Sequence, residues 1–197
     1  MLIIGAGNLG KHAVDQLMQD NYTKDIIFFD ENMSENFIYN RFPVIHDWKS
    51  LNEILVSNNN EFFIAIGNPR IRQKMLNKIQ FGKYQSLIST KTSVVSSFAK
   101  IGAGSLVQPA CCISHNVIVG KSCLLHANTL VGHDVIINDF VTIGSNVNIL
   151  KGVKIDNYSI ISPNVLIYPN IKIGNNVFVE PGAIIKTDIE DFQTVNT

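Results

Sequence analysis

The sequence predicts a two-part chain: a small α/β domain with a parallel, Rossmann-like sheet, then an all-β solenoid of short repeats. Three observations predict it. Sixteen aliphatic residues recur at a strict six-residue interval, from Val95, Ile101 and Val107 through Ile173, Val179 and Ile185. Neither a helix nor an ordinary strand has a period of six, and a fixed short period marks a repeat architecture. A second column of small or β-branched residues, from Ala99 and Ser105 to Ala183 and Ile189, follows four positions behind the first. Ahead of the repeat, short apolar runs alternate with helical patterns, as in a parallel sheet with crossovers. The expected boundaries are 1–85 and 86–197.

In the first part, Leu2-Ile3-Ile4 reads as a strand running into Gly5-Ala6-Gly7-Asn8-Leu9-Gly10. A helix burying Ala13, Val14, Leu17 and Met18 is expected next. The second strand, Ile26 to Phe29, ends at Asp30, and a polar stretch over 32–40 leads to a short strand at Pro43-Val44-Ile45. A further strand, Phe62 to Ile66, ends at Gly67-Asn68-Pro69 before a helix through Arg72 and Met75. Residues 86–94 read as an extended connector. Beyond it, Gly follows the aliphatic position at 102, 120, 132, 144 and 174, where unusual backbone angles are expected.

Composition narrows the function classes. Sixteen acidic residues balance sixteen basic ones, so no electrostatic argument favours nucleic acid. No apolar run reaches spanning length, and the chain starts without a charged leader, so membrane insertion is not expected and a cytoplasmic setting is. The three cysteines lack metal-ligand spacing, and no metal is expected.

Two motifs carry chemistry. Gly5-x-Gly7-x-x-Gly10 lets a backbone approach a diphosphate at a helix N-terminus, and Asp30 ends the next strand where a carboxylate meets a ribose or base. A tight turn alone would also explain the glycines. With room for only about three strands, a mononucleotide or nucleotide sugar fits better than a dinucleotide. In the solenoid, Gly132-His133-Asp134 sets an acid–base pair just after Val131. With eighteen residues per coil, His115, His133, Lys151 and Pro169 form one column on a turn, and Ser145, Pro163 and Pro181 another. A carboxylate beside an imidazole can orient it and make it a better base.

The repeat resembles the hexapeptide-repeat family, whose fold is a left-handed parallel β-helix with three hexads per coil. The whole chain is similar to the NeuD/PglD-type sugar acetyltransferases in its Gly-Ala-Gly loop, the Asp30 strand end, the Ala65-Ile66-Gly67-Asn68…Arg72 segment and the His133-Asp134 pair. The resemblance implies acetyl transfer from acetyl-CoA to the 4-amino group of a nucleotide-linked 4-amino-4,6-dideoxy sugar, for bacterial surface glycans such as lipopolysaccharide O-antigen. It also implies a homotrimer with acetyl-CoA in the cleft between neighbouring β-helices. His133 becomes the general base and Asp134 the acid that makes it more basic. Gly5, Ala6, Gly7, Asp30, Gly67, Asn68 and Arg72 become substrate contacts; for Arg72 a plain helix-surface role is an equal reading. Thr142, Pro163 and Pro181 become CoA contacts, and a backbone N–H near Lys151 or Gly152 faces the oxyanion. The chain departs from the family where Asn8-Leu9 replaces Gly-His, where Thr142 aligns with a second histidine, and where Asn196-Thr197 precedes the usual Gly-x-Pro-Ala-Lys tail. Three alternatives stay open: an O-acetyltransferase on a sugar hydroxyl of the sialic-acid type, a zinc-dependent protein like γ-carbonic anhydrase using His115, His126 and His133, and a non-catalytic nucleotide-binding trimer.

Overall fold

The computed structural model describes residues 1–57 and 61–196, so Thr197, the end of the expected second domain, lies outside the described residues. Two compact units divide the chain, Met1–Gln85 and Ser86–Thr197.

In the first unit, β1 (Leu2–Ile4), α1 (Asn8–Gln19), β2 (Ile27–Phe29), β3 (Phe37–Ile38), β4 (Phe42–Ile45), α2 (Trp48–Ser57), β5 (Glu61–Ile64), α3 (Pro69–Lys78) and β6 (Lys83–Tyr84) follow in order. The sheet order is β3-β4-β2-β1-β5-β6, parallel except for β3 against β4. The central strands read as unbroken apolar runs because helices cover both faces, and Ile3, Ile4, Phe63 and Ile64 are fully buried.

Several local expectations change. On α1, Met18 is exposed and Gln16 takes the buried position. The third apolar strand closes at Ile64, two residues early. The polar stretch contains β3, and α2 follows β4 where no helix is expected. Leu51 and Leu55, one turn apart, face the core, and Asp47 caps α2 by accepting from Ser50 N–H (2.9 Å) and Ser50 Oγ (2.8 Å).

The second unit is a parallel β-helix of hexapeptide repeats. Two-residue strands stack into three faces. The first face includes Leu106–Val107, Leu124–Leu125 and Thr142–Ile143; the second Cys112–Ile113, Leu130–Val131 and Asn148–Ile149; the third Ile118–Val119, Ile136–Ile137 and Lys154–Ile155. Each strand pairs with the strand eighteen residues on, as Leu130 does with Asn148 and Val131 with Ile149. The aliphatic column and the small column both point inward, so Val131, Val135, Ile137, Val141, Ile149 and Val153 form one continuous core. Each buried aliphatic contributes about 1.5–3 kcal/mol over its exposed state.

Both ends break the sixfold phase. Residues 86–94 are not simply a connector: Leu87–Ile88 is already a rung, paired with Leu106–Val107 at an offset of nineteen. At the other end Ile189 bridges Ile173 at an offset of sixteen, which puts it in the first column rather than the second.

The glycines after the aliphatic positions need no positive φ. The left-handed residues sit two positions later, at Asn128, Asp134, Phe140 and Asn146, with φ near +60°. Gly132 is needed instead because a Cβ there would lie 2.9 Å from Lys151 N in the next coil.

Candidate active site

The Gly loop joins β1 to α1 at the carboxyl edge of the sheet, where α/β folds bind ligands. Gly5 has φ +101°, and a Cβ there would sit 2.7 Å from Ala65 O, so only glycine fits. Gly10 is equally fixed, since a Cβ would strike Gly5 O. Gly7 and Gly67 differ: a side chain at either would meet nothing within 4 Å. The fold does not require these two glycines, and the open space above them is where a ligand backbone can approach.

Asp30 ties the strand end to the loop. Its Oδ2 accepts from Ala6 N–H (2.9 Å) and its Oδ1 from Asn32 N–H (3.0 Å). Its backbone carbonyl lies 2.8 Å from His46 Nδ1. Asp30 also lines a cleft of about 250 Å³ with Ile4, Gly5, Phe29, Ile66 and Met75. The cleft is mainly apolar, with carboxylates at one end, which suits a flat base or a ribose.

Two of the expected substrate contacts hold the loop after β5 together. Arg72 is fully buried, neither on the helix surface nor facing the cleft. Its Nη1 donates to Ile66 O (2.7 Å) and Gly67 O (2.9 Å), which clamps the loop after β5. Asn68 caps α3, its Oδ1 accepting from Arg70 N–H (3.0 Å) and Ile71 N–H (3.1 Å), ahead of Pro69 in the first turn.

In the second unit, His133 and Asp134 occupy the turn between the second and third faces. His133 Nδ1 lies 2.7 Å from Asp134 Oδ2, and both side chains are exposed. Asp134 Oδ1 accepts from Asn116 Nδ2 (3.1 Å), one coil earlier. The hydrogen bond from His133, then that from Asn116, holds the Asp134 carboxyl below the usual carboxylate range. An ionised carboxylate only accepts, so the proton of a neutral His133 sits on Nδ1 and the lone pair on Nε2. No hydrogen bond engages Nε2 among the described residues.

The column arithmetic holds. Gly152 N–H donates to His133 O (3.0 Å) and Asn170 N–H to Lys151 O (2.9 Å), so these turns stack directly. Gly152 is therefore removed as an oxyanion donor, because its N–H is spent between coils. Lys151 N–H makes no hydrogen bond among the described residues and remains the candidate.

Thr142, Pro163 and Pro181 lie elsewhere. Thr142 is on the outer side of the first face. Pro163 and Pro181 stack on the turn between the first and second faces, where Gly182 N–H donates to Pro163 O (2.9 Å). Within one chain the His133 corner and the proline corner are thus opposite edges of the second face. His126 is on the proline corner too, 3.0 Å from Gln108 Oε1, away from His115 and His133. Among the described residues no group of three His, Cys, Asp or Glu could hold a metal ion, and no helix is long and apolar enough to cross a membrane.

Comparison with known proteins defines the class. Residues 1–79 match the PglD N-terminal domain, and residues 152–187 the bacterial transferase hexapeptide (six repeats). None of the curated proteins compared matches the sequence. The acetyltransferase domain of PglB from Neisseria gonorrhoeae FA1090, in complex with acetyl coenzyme A, has a TM-score of 0.90 at 26% identity, over 98% of this chain and 93% of that one. PerB from Caulobacter crescentus, in complex with CoA and GDP-perosamine, has a TM-score of 0.86 at 23% identity, over 96% and 90%. WeeI from Acinetobacter baumannii AYE has a TM-score of 0.78 at 23% identity, over 99% and 95%. A PglD-type N-terminal domain joined to hexapeptide repeats is the arrangement of the NeuD/PglD-type sugar acetyltransferases, as the sequence motifs led us to expect.

Proposed function

We propose that this protein transfers an acetyl group from acetyl-CoA to the 4-amino group of a nucleotide-linked 4-amino-4,6-dideoxy sugar. The observation that carries the reading is the His133–Asp134 pair, with its tautomer set and Nε2 free. Likeness to proteins complexed with acetyl coenzyme A, CoA and GDP-perosamine supports the choice of donor and acceptor.

The first unit holds the nucleotide. The free N–H groups at the start of α1, above open Gly7, suit a diphosphate, and the Asp30 cleft takes the ribose or base. In the second unit, His133 Nε2 removes a proton from the amine as its nitrogen attacks the thioester carbon. The C–N bond forms, Lys151 N–H meets the developing oxyanion, and the C–S bond breaks. The proton on His133 then passes to the CoA thiolate. Asp134 keeps the ring oriented throughout.

The outer side of the second face supports a trimer. Val94, Leu130 and Ile184 are exposed there, at 69%, 41% and 58%, with Asn148 exposed among them; the third face presents Lys100, Lys154 and Lys172 beside an exposed Ile118. Exposed apolar side chains of this kind suit an interaction surface. Three copies packed through second faces bring the His133 corner of one chain beside the proline corner of the next. That supplies Thr142, Pro163 and Pro181 for CoA at a site shared by two subunits. A cytoplasmic enzyme of surface-glycan synthesis fits this chemistry, since acetyl-CoA and nucleotide sugars are substrates there.

The test is acetyl-CoA turnover across a panel of nucleotide-linked 4-amino sugars, with a free sialic acid beside them. Acetylation of an amino sugar supports the reading; acetylation of the sugar acid alone transfers it to the O-acetyl class.

A further inference from the structure

Three contacts run from Ser114-His115-Asn116 to His133-Asp134, one coil on. The His115 carbonyl accepts from Asp134 N–H at 3.3 Å. The Asn116 amide holds Asp134 Oδ1 at 3.1 Å. The two imidazoles lie parallel, with ring centroids 5.2 Å apart and 0° between their planes. Ser114 Oγ lies 3.4 Å from His115 Nδ1 and steadies the lower ring.

An exposed histidine samples several rotamers. The hydrogen bond to Asp134 fixes the tautomer of His133, but a ring hinged on one bond still swings about it. A second flat ring against one face removes that freedom.

We infer that His115 is a positioning residue for the acetyl transfer proposed above: stacked under His133, it keeps Nε2 aimed outward. The inference rests on His133 being the base.

The test uses the full chain. His115→Ala lowers kcat about tenfold, with KM for both substrates within about twofold, because an orienting group is lost and no binding group is. His115→Phe keeps a flat ring without a titratable nitrogen and returns kcat to within about twofold of wild type. A nuclear Overhauser contact between the two imidazoles, read by NMR in wild type, reports the stacking without turnover. Wild-type kcat in His115→Ala, or the lack of that ring contact in wild type, overturns the inference. So does a folded His115→Phe as slow as His115→Ala. If wild type acetylates no amino sugar while the ring contact is observed, the functional reading has failed and the positioning role with it, leaving only the stacking.

Discussion

Asp134 reaches His133 Nδ1 at 2.7 Å because its own backbone is left-handed, at φ +61°. Adjacent side chains on an extended chain point to opposite sides; the left-handed turn folds the carboxylate back onto its neighbour. Asn tolerates this conformation far better than Ala. Asp134→Asn therefore separates chemistry from folding. We expect it to keep the wild-type melting temperature within a few degrees but to lower kcat about ten- to hundredfold, since the amide no longer enforces the Nδ1 tautomer. Steady-state kinetics beside a thermal melt reads both.

The same pair sets a pH expectation. The folded-state pKa of Asp134 is depressed, so its contribution to holding His133 is present above the ordinary carboxylate value, and is lost only as pH falls through the lowered folded value. Acid loss of activity above the ordinary carboxylate range therefore does not belong to Asp134. A pH profile of kcat/KM whose acid limb keeps its midpoint in Asn116→Ala, which removes one of the two bonds to Asp134, agrees with this. A midpoint that follows the loss of the Asn116 bond assigns the limb to the carboxylate.

Gly132→Ala tests the spacing of coils at the site. A Cβ 2.9 Å from Lys151 N has no flexible neighbour to displace, so the turn carrying His133 must shift. A destabilisation of about 1–3 kcal/mol in urea melts is expected, together with a loss of kcat. Unchanged stability would show that the coils part at no cost.

Arg72 is predicted to act through stability. Arg72→Met removes the two bonds to the Ile66 and Gly67 carbonyls, of which Ile66 is half-buried and Gly67 exposed, at a cost of about 1–3 kcal/mol. Thermal melts should show the loss in the absence of any ligand. A variant that melts like wild type and only raises KM for the sugar nucleotide returns Arg72 to the substrate.

Thiol chemistry probes the core. Cys111 and Cys123 are buried and Cys112 is exposed. Burial pushes the Cys111 thiol up, so it stays protonated and inert at neutral pH. Titration with a disulfide reagent should find at most one reactive thiol in the native protein and three after denaturation. The raised pKa also means that this stabilisation is full below the ordinary thiol value and is lost as pH rises through the folded value.

The repeat was legible because each hexad buries the same two positions, so Val131 and Val135 announce themselves in sequence. The phase shifts at the two ends hid the rungs Leu87–Ile88 and Thr194–Val195 and put Ile189 in the wrong column, since an offset of nineteen or sixteen breaks the period. Helix α2 was hidden because only Leu51 and Leu55 mark its buried side. His133-Asp134 stood out as an acid–base pair, and the eighteen-residue coil set His115 in the same column. The Asn116 bond to Asp134 was not legible, since an asparagine on a turn carries no sign of its partner one coil on. The structural bonds of Arg72 and Asn68 were not legible, because a cationic or amide side chain near a Gly loop suggests a ligand, and only the fold shows that these two also satisfy the backbone that forms the loop.

The central claim is that His133 is the base of an acetyltransferase. Its most direct test is kcat for acetyl transfer from acetyl-CoA to the best nucleotide-linked 4-amino sugar, in wild type and in folded His133→Ala. The account predicts measurable turnover in wild type and a fall of about a hundredfold or more in the variant. Near-normal turnover in the variant would contradict it.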